Sequence, residues 1–187
     1  MGIELNSLIR IYDDVLPADV CRYLIDFYAS SPEQQQRIDD AKRPSFTQLN
    51  FTEIQGATEE SAKAHDFVVS RVVALRDNYY GFVDSRCFPS DNDLEQFRIK
   101  KYRNDGQDLF GTHVDVRNQA SARRFLSFIF YLNDVEEGGE TIFYTGTTVK
   151  PKTGRVVVFP PLWMFPHKGC APVSGEKYIL STYLLYR

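Results

Sequence analysis

From residue 17 to about residue 30 the apolar side chains Val20, Cys21, Leu24, Ile25, Phe27 and Tyr28 return at steps of three and four, the spacing of one helix face. Pro17 suits the first turn of such a helix, where a missing N–H is not felt. The polar stretch 32–44, with Gln34, Gln35, Gln36, Asp39, Asp40 and Lys42, has few apolar anchors and is expected as a surface loop or frayed helix end. A strand is expected over 46–54. The run 58–80 predicts a second, longer helix, with Glu59 and Glu60 in its first turn and Ala64, Phe67, Val68, Val72, Leu75 and Tyr79 along one side.

Beyond Cys87 the pattern changes to short runs of aromatic and β-branched residues separated by turn residues. Strands are expected over 94–102, 110–115, 125–132, 141–144, 155–159, 164–167 and 177–186. Asn104-Asp105-Gly106, Gly138-Gly139 and Lys152-Thr153-Gly154 supply turn chemistry between them. Helices followed by strands make an α+β protein with helices packed on one face of a sandwich or barrel. No linker-like run divides the 187 residues, so a single domain is expected, with a helical support region to about 85 and a strand-rich core from about 94.

Charge narrows the partners. Twenty-two Lys and Arg against 25 Asp and Glu leave a net charge of −3, which gives no footprint for a nucleic-acid backbone. Cys21, Cys87 and Cys170 are too few and too scattered for a disulfide framework, and are expected as reduced, mostly buried thiols. No leader, lipidation signal or apolar run of the roughly 18 residues needed to cross a bilayer is legible, so a soluble, cytoplasmic protein without a membrane partner is expected.

The candidate chemistry centres on three histidines. His65 has no ligand-type neighbour one helical turn away and reads as structural. In Gly111-Thr112-His113-Val114-Asp115 the imidazole and carboxylate are two residues apart, and a strand would turn both to one face, where they can share a metal. His167, 52 residues after Asp115, offers a third ligand. Two imidazoles and one carboxylate make the facial triad of non-heme iron(II) oxygenases, although zinc accepts the same donors. An oxygenase that uses 2-oxoglutarate also needs a cation for the far carboxylate, and Lys177 opens the last strand, ahead of an apolar run typical of a strand buried on both faces. Glu136, Glu137 and Glu140 flank Gly138-Gly139 and read as a solvated turn, while Phe125, Leu126, Phe128, Ile129 and Phe130 read as core.

From about Phe97 onward the chain resembles the iron(II)- and 2-oxoglutarate-dependent dioxygenases of the prolyl 4-hydroxylase type. The likeness is carried by His113-x-Asp115, by the run from Tyr131-Leu132-Asn133-Asp134 to Gly138-Gly139-Glu140-Thr141, by Val149-x-Pro151-x-x-Gly154, by His167-x-Gly169 and by Lys177. The resemblance implies a double-stranded β-helix, or jelly roll, with the N-terminal helices on its larger sheet. It implies that His113, Asp115 and His167 hold iron and carry catalysis, and that Lys177 pairs with the far carboxylate of 2-oxoglutarate. Tyr131 and Thr141 would contact the same carboxylate, Tyr102 would line the pocket, Ser181 would lie near the metal and Arg124 would contact substrate. Strand alternation puts Tyr102 with Arg98 and Lys100, and Tyr183 stands where many relatives have Trp.

The activity so implied is hydroxylation of an unactivated C–H bond, with O2 as cosubstrate, succinate and CO2 as coproducts, and ascorbate as an accessory reductant. Peptidyl proline is the substrate the family points to, so the expected partner is a proline-containing peptide or protein. The alternatives are a hydroxylase of a free amino acid or other small molecule on the same barrel, or a non-catalytic binding protein with a zinc-filled site. Segments 32–44 and 87–93 are candidate substrate loops.

Overall fold

The computed structural model describes residues 4–40 and 44–187. Residues 1–3 and 41–43, the latter inside the polar stretch 32–44, lie outside the described residues. In chain order the main elements are β1 (Arg10–Tyr12), α1 (Ala18–Ala29), β2 (Gln35–Asp39), β3 (Ser45–Asn50), α2 (Phe51–Ile54) and α3 (Glu59–Val83). They continue with β4 (Asn92–Leu94), β5 (Arg98–Tyr102), β6 (Phe110–His113), β7 (Arg124–Tyr131), β8 (Thr141–Phe143), β9 (Thr148–Val149), β10 (Val156–Phe159), β11 (His167–Gly169) and β12 (Lys177–Tyr186).

Both long helices form where the apolar spacing places them. Pro17 caps α1 with φ near −58°, and Cys21, Leu24 and Tyr28 face inward. Helix α3 starts from a reciprocal box in which the Thr58 hydroxyl accepts from the Ser61 N–H and the Ser61 hydroxyl accepts from the Thr58 N–H. Among the described residues no helix is long and apolar enough to cross a membrane.

The strands make two antiparallel sheets. The larger runs β1-β10-β7-β12-β5-β3-β2, with β4 also paired to β12, and the smaller runs β6-β11-β8-β9. Alternation sorts the apolar residues into two cores. Val156, Val158, Phe128, Phe130 and Leu180 point toward the helices and meet Leu24, Val68 and Val72. Val157, Phe159, Tyr131 and Ile179 point the other way and meet Phe143 and Phe165 in the second core. The central strands are thus buried on both faces, which is why their sequences read as nearly unbroken apolar runs. Helices on one face of the larger sheet and the smaller sheet on the other form the expected α+β jelly roll.

The structure departs from the predicted elements in several places. Residues 35–39, expected as a loop, form β2, paired from Gln35 opposite Leu49 to Asp39 opposite Ser45. An edge strand needs a partner backbone rather than apolar side chains, so its sequence carries no hydrophobic signal. The strand expected over 46–54 stops at Asn50, where Phe51 turns into the core at the start of α2. The strand expected over 94–102 is two strands: Glu95, Gln96 and Phe97 leave the ladder, and the Phe97 N–H donates to Thr52 Oγ1 at 2.9 Å. The strand expected over 164–167 is instead β11, starting at His167, because Phe165 closes a turn on the Leu162 carbonyl at 2.9 Å. Strands β1 and β9, three and two residues long, are too short to show a period. Cys21 is buried, but Cys87 is exposed, against expectation. In segment 87–93, Phe88 stacks on Tyr80 of α3 with ring centroids 4.1 Å apart.

Candidate active site

Strand β6 ends on His113, β11 begins on His167, and the antiparallel register sets the two directly opposite. Their ring centroids lie 4.3 Å apart. Asp115 sits two residues past the end of β6, off the strand on which it was expected. Its carboxylate nevertheless reaches the histidines, with Oδ1 3.4 Å from His113 Nε2 and Oδ2 4.0 Å from His167 Nε2. One donor atom from each of the three residues lies within 4.8 Å of the others.

The surroundings prepare these donors. His113 Nδ1 donates to the Gly111 carbonyl at 2.8 Å, and His167 Nδ1 donates to the Phe165 carbonyl at 3.1 Å. Both Nε2 atoms are thereby left as lone-pair donors facing Asp115. Phe110 stacks on His113 at 3.5 Å, and Phe143 and Phe159 pack against His167. Burial pushes the Asp115 carboxyl upward, yet the adjacent His113 and His167 imidazoles hold it below its ordinary value. Burial lowers His167. Asp115 Oδ2 is buried with no hydrogen-bond partner, a vacancy that costs about 1–3 kcal/mol unless a cation fills it. Two neutral imidazoles and an ionised, under-satisfied carboxylate fit a divalent metal.

At the deep end of the same pocket Lys177 is 2% exposed. Its Nζ donates to the Gly139 carbonyl at 3.0 Å and lies 4.3 Å from the centre of the Tyr102 ring. Among the described residues no carboxylate pairs with it, and burial lowers its pKa to about 8. Gly138 and Gly139 both adopt positive φ, near 78° and 75°. A Cβ on Gly138 would meet the Ala171 carbonyl at 2.5 Å, so the turn that presents the Gly139 carbonyl needs glycine there. Tyr131, on the neighbouring strand, donates from its hydroxyl to Thr141 Oγ1 at 2.7 Å.

The fold thus brings His113, Asp115, His167, Lys177, Thr141, Tyr102 and Ser181 to one pocket, and puts Tyr131 behind Thr141. Arg124 is at the outer mouth, where its guanidinium grips Glu95 at 2.7 and 2.6 Å and stacks 4.1 Å over the Tyr183 ring. Lys100 also lines the pocket, and burial lowers it to about 8. Alternation had placed Lys100 beside Tyr102 without giving it a role. Asp108 went unnoticed. It is fully buried just before β6 and accepts from Arg37 at 3.0 and 2.7 Å and from Arg103 at 3.2 and 3.1 Å. No local pattern could reveal it, because Arg37 is 71 positions away in sequence.

Residues 97–185 match the family described as the 2OG-Fe(II) oxygenase superfamily. The matched stretch takes in His113, Asp115, His167 and Lys177. A probable prolyl 4-hydroxylase 9 of Arabidopsis thaliana is 30% identical over 158 residues, which are 68% of this chain and 50% of that protein. Prolyl 4-hydroxylase 13 of the same plant is 28% identical, over 87% of this chain and 69% of its own length. The chain therefore spans about half the length of the first of these relatives. A viral collagen prolyl hydroxylase from Paramecium bursaria Chlorella virus-1, solved with 2-oxoglutarate, superimposes with a TM-score of 0.68 at 20% identity, covering 96% of each chain. A Pseudomonas putida prolyl-4-hydroxylase gives 0.69 at 19% identity, covering 96% of this chain and 93% of its own. These structural likenesses show the jelly-roll fold.

Proposed function

We propose that this protein is an Fe(II)- and 2-oxoglutarate-dependent oxygenase that hydroxylates an unactivated C–H bond, with peptidyl proline giving 4-hydroxyproline as the substrate class its relatives point to. The observation that carries this reading is the convergence on one pocket of the His113–Asp115–His167 donors and the buried Lys177, which no carboxylate among the described residues pairs with. A zinc site needs only the three ligands. A buried ammonium at the closed end of the same pocket has a purpose when a dicarboxylate enters.

When bound, the iron and 2-oxoglutarate together supply O2 activation, releasing succinate and CO2 and delivering one oxygen atom to substrate, with ascorbate as an accessory reductant. The chain supplies placement. The Gly111 and Phe165 carbonyls fix the tautomer and direction of each imidazole, and Asp115 contributes the one negative charge of the triad. Lys177 receives the far carboxylate of the cosubstrate, with Thr141 beside it held by the Tyr131 hydroxyl. Phe110, Phe143 and Phe159 keep water from the histidine rings, and Ser181 completes the wall. Arg124, fixed by Glu95, orients the mouth through which substrate arrives. A cytoplasmic location accords with the free thiols, one of them exposed at Cys87.

The test is anaerobic addition of Fe(II) and 2-oxoglutarate to the purified chain. A weak visible charge-transfer band is expected, lost in both His167→Ala and Lys177→Ala, and admission of O2 should add one oxygen to a proline-containing peptide by mass. No band, with zinc bound tightly in its place, overturns the reading.

A further inference from the structure

Adjoining the pocket that holds Lys177 and the triad is a mouth that shares Lys100, His113, Asp115 and Ser181 with it and adds Arg98. Arg98, Lys100 and Tyr102 alternate onto the inner face of β5, opposite Ser181, Ile179 and Lys177 of β12. At about 3.3 Å per residue, Lys100 stands about 7 Å and Arg98 about 13 Å along the strand from the Lys177 layer. Arg117 and Arg124 line the same mouth, together with Glu95 and Asp115.

These charges do not cancel. Arg124 and Glu95 satisfy one another at 2.6–2.7 Å, and Asp115 is a metal donor. Bound iron and Lys177 carry three positive charges, which Asp115 and the two carboxylates of 2-oxoglutarate offset. Arg98, Lys100 and Arg117 are left over. Among the described residues none of the three has a carboxylate partner: Arg98 donates to Gln96 Oε1 at 3.3 Å, and Lys100 lies 5.3 Å from the centre of the Phe46 ring. A chain of net charge −3 has thus gathered uncompensated cations at the mouth of one pocket. Arg117 is exposed, but Arg98 and Lys100 are partly buried, where a cation without an anion is costly, and a site built that way has an anion to receive.

We propose that the substrate of this oxygenase presents a carboxylate to Arg98 and Lys100, which fixes the position of the carbon to be hydroxylated relative to the metal. This rests on the oxygenase reading above. Two sources offer that group: an Asp or Glu side chain beside the target proline of a peptide, and the α-carboxylate of a free imino or amino acid. Arg98 suits either, since its planar fork matches a carboxylate, and Lys100 adds a point charge nearer the metal. An amide in place of the acid keeps the shape but loses the charge-assisted bonds, which costs about tenfold or more in affinity.

The experiment uses the anaerobic Fe(II)–2-oxoglutarate complex, whose visible band reports the cofactor site and whose perturbation reports substrate binding. Acetyl-Ala-Pro-Asp-Ala-amide is titrated against its Asn and Lys counterparts, and L-proline against L-prolinamide. The expected result is at least tenfold tighter binding of the acid in one of the two series, which also identifies the source. Arg98→Glu should abolish that preference and favour the Lys peptide, with the band retained as proof of folding. Lys100→Gln, or Arg98→Gln should the reversal lose the band, should reduce the preference. A band with no preference for acid in either series, no binding of either acid, or a preference that survives these variants overturns the proposal alone. No band in the unaltered protein overturns the oxygenase reading, and this proposal with it.

Discussion

Asp115→Ala removes the proposed metal donor, including the buried Oδ2 that has no hydrogen-bond partner. The variant should therefore lose turnover altogether; hydroxylation by the pure variant would contradict the role given to Asp115. Lys177 makes a pH prediction. Its value near 8 lies below the ordinary 10.5, so in the free protein its charge is lost as pH rises through about 8. Affinity for 2-oxoglutarate should then fall above pH 8, approaching roughly tenfold per unit, as measured by calorimetric titration. Folding stability moves the other way: between about 8 and 10.5 the unfolded chain holds the proton more tightly, so burial of the neutral amine is favoured as pH rises.

At the scale of elements, the ligand-bearing strand is held from outside. The buried Asp108 carboxylate ties the approach to β6 to Arg37 on β2 and to Arg103 just after β5. Both arginines hold it well below the usual carboxylate range, against the upward push of burial. Its contribution is present above the unfolded carboxylate value and lost only in strong acid, as pH falls through the depressed folded value. Asp108→Asn keeps the shape but removes the charge that both guanidiniums face, and the arginines, 34% and 48% exposed, can partly return to water. A loss of about 1–3 kcal/mol is expected in urea unfolding at neutral pH, with an unchanged slope. Weaker metal binding should accompany it if this anchor sets the position of His113. The polar β2 strand, which shows no periodicity, thus matters for the site through Arg37.

For the whole molecule, the triad links distant parts of the chain, so its occupancy should report on global stability. Mn(II) or Zn(II) at a hundred times its dissociation constant adds about 2.7 kcal/mol by mass action. For a chain of this size that is a rise of about 5–10 °C in melting temperature, readable by scanning fluorimetry against EDTA and absent in Asp115→Ala. What was legible in advance follows from local physics. Helices α1 and α3 show a 3.6-residue period, β7, β10 and β12 show apolar runs buried on two faces, and the His-x-Asp, His and Lys motifs have spacings that chemistry requires. Those features are properties of neighbouring residues, so the sequence by itself determined the two helices and the strand-rich half, and it singled out His113, Asp115 and His167 as candidate metal donors. The ladder positions of β1, β2 and β9 depend on partner backbones, and the turn that carries Asp115 back to the histidines depends on where β6 is released from β11. Likewise, whether Arg98 and Lys100 meet a carboxylate within the chain depends on side chains far away in sequence. Tertiary structure decided these, because hydrogen-bond partners and charge compensation are set by proximity in space, which no local pattern encodes.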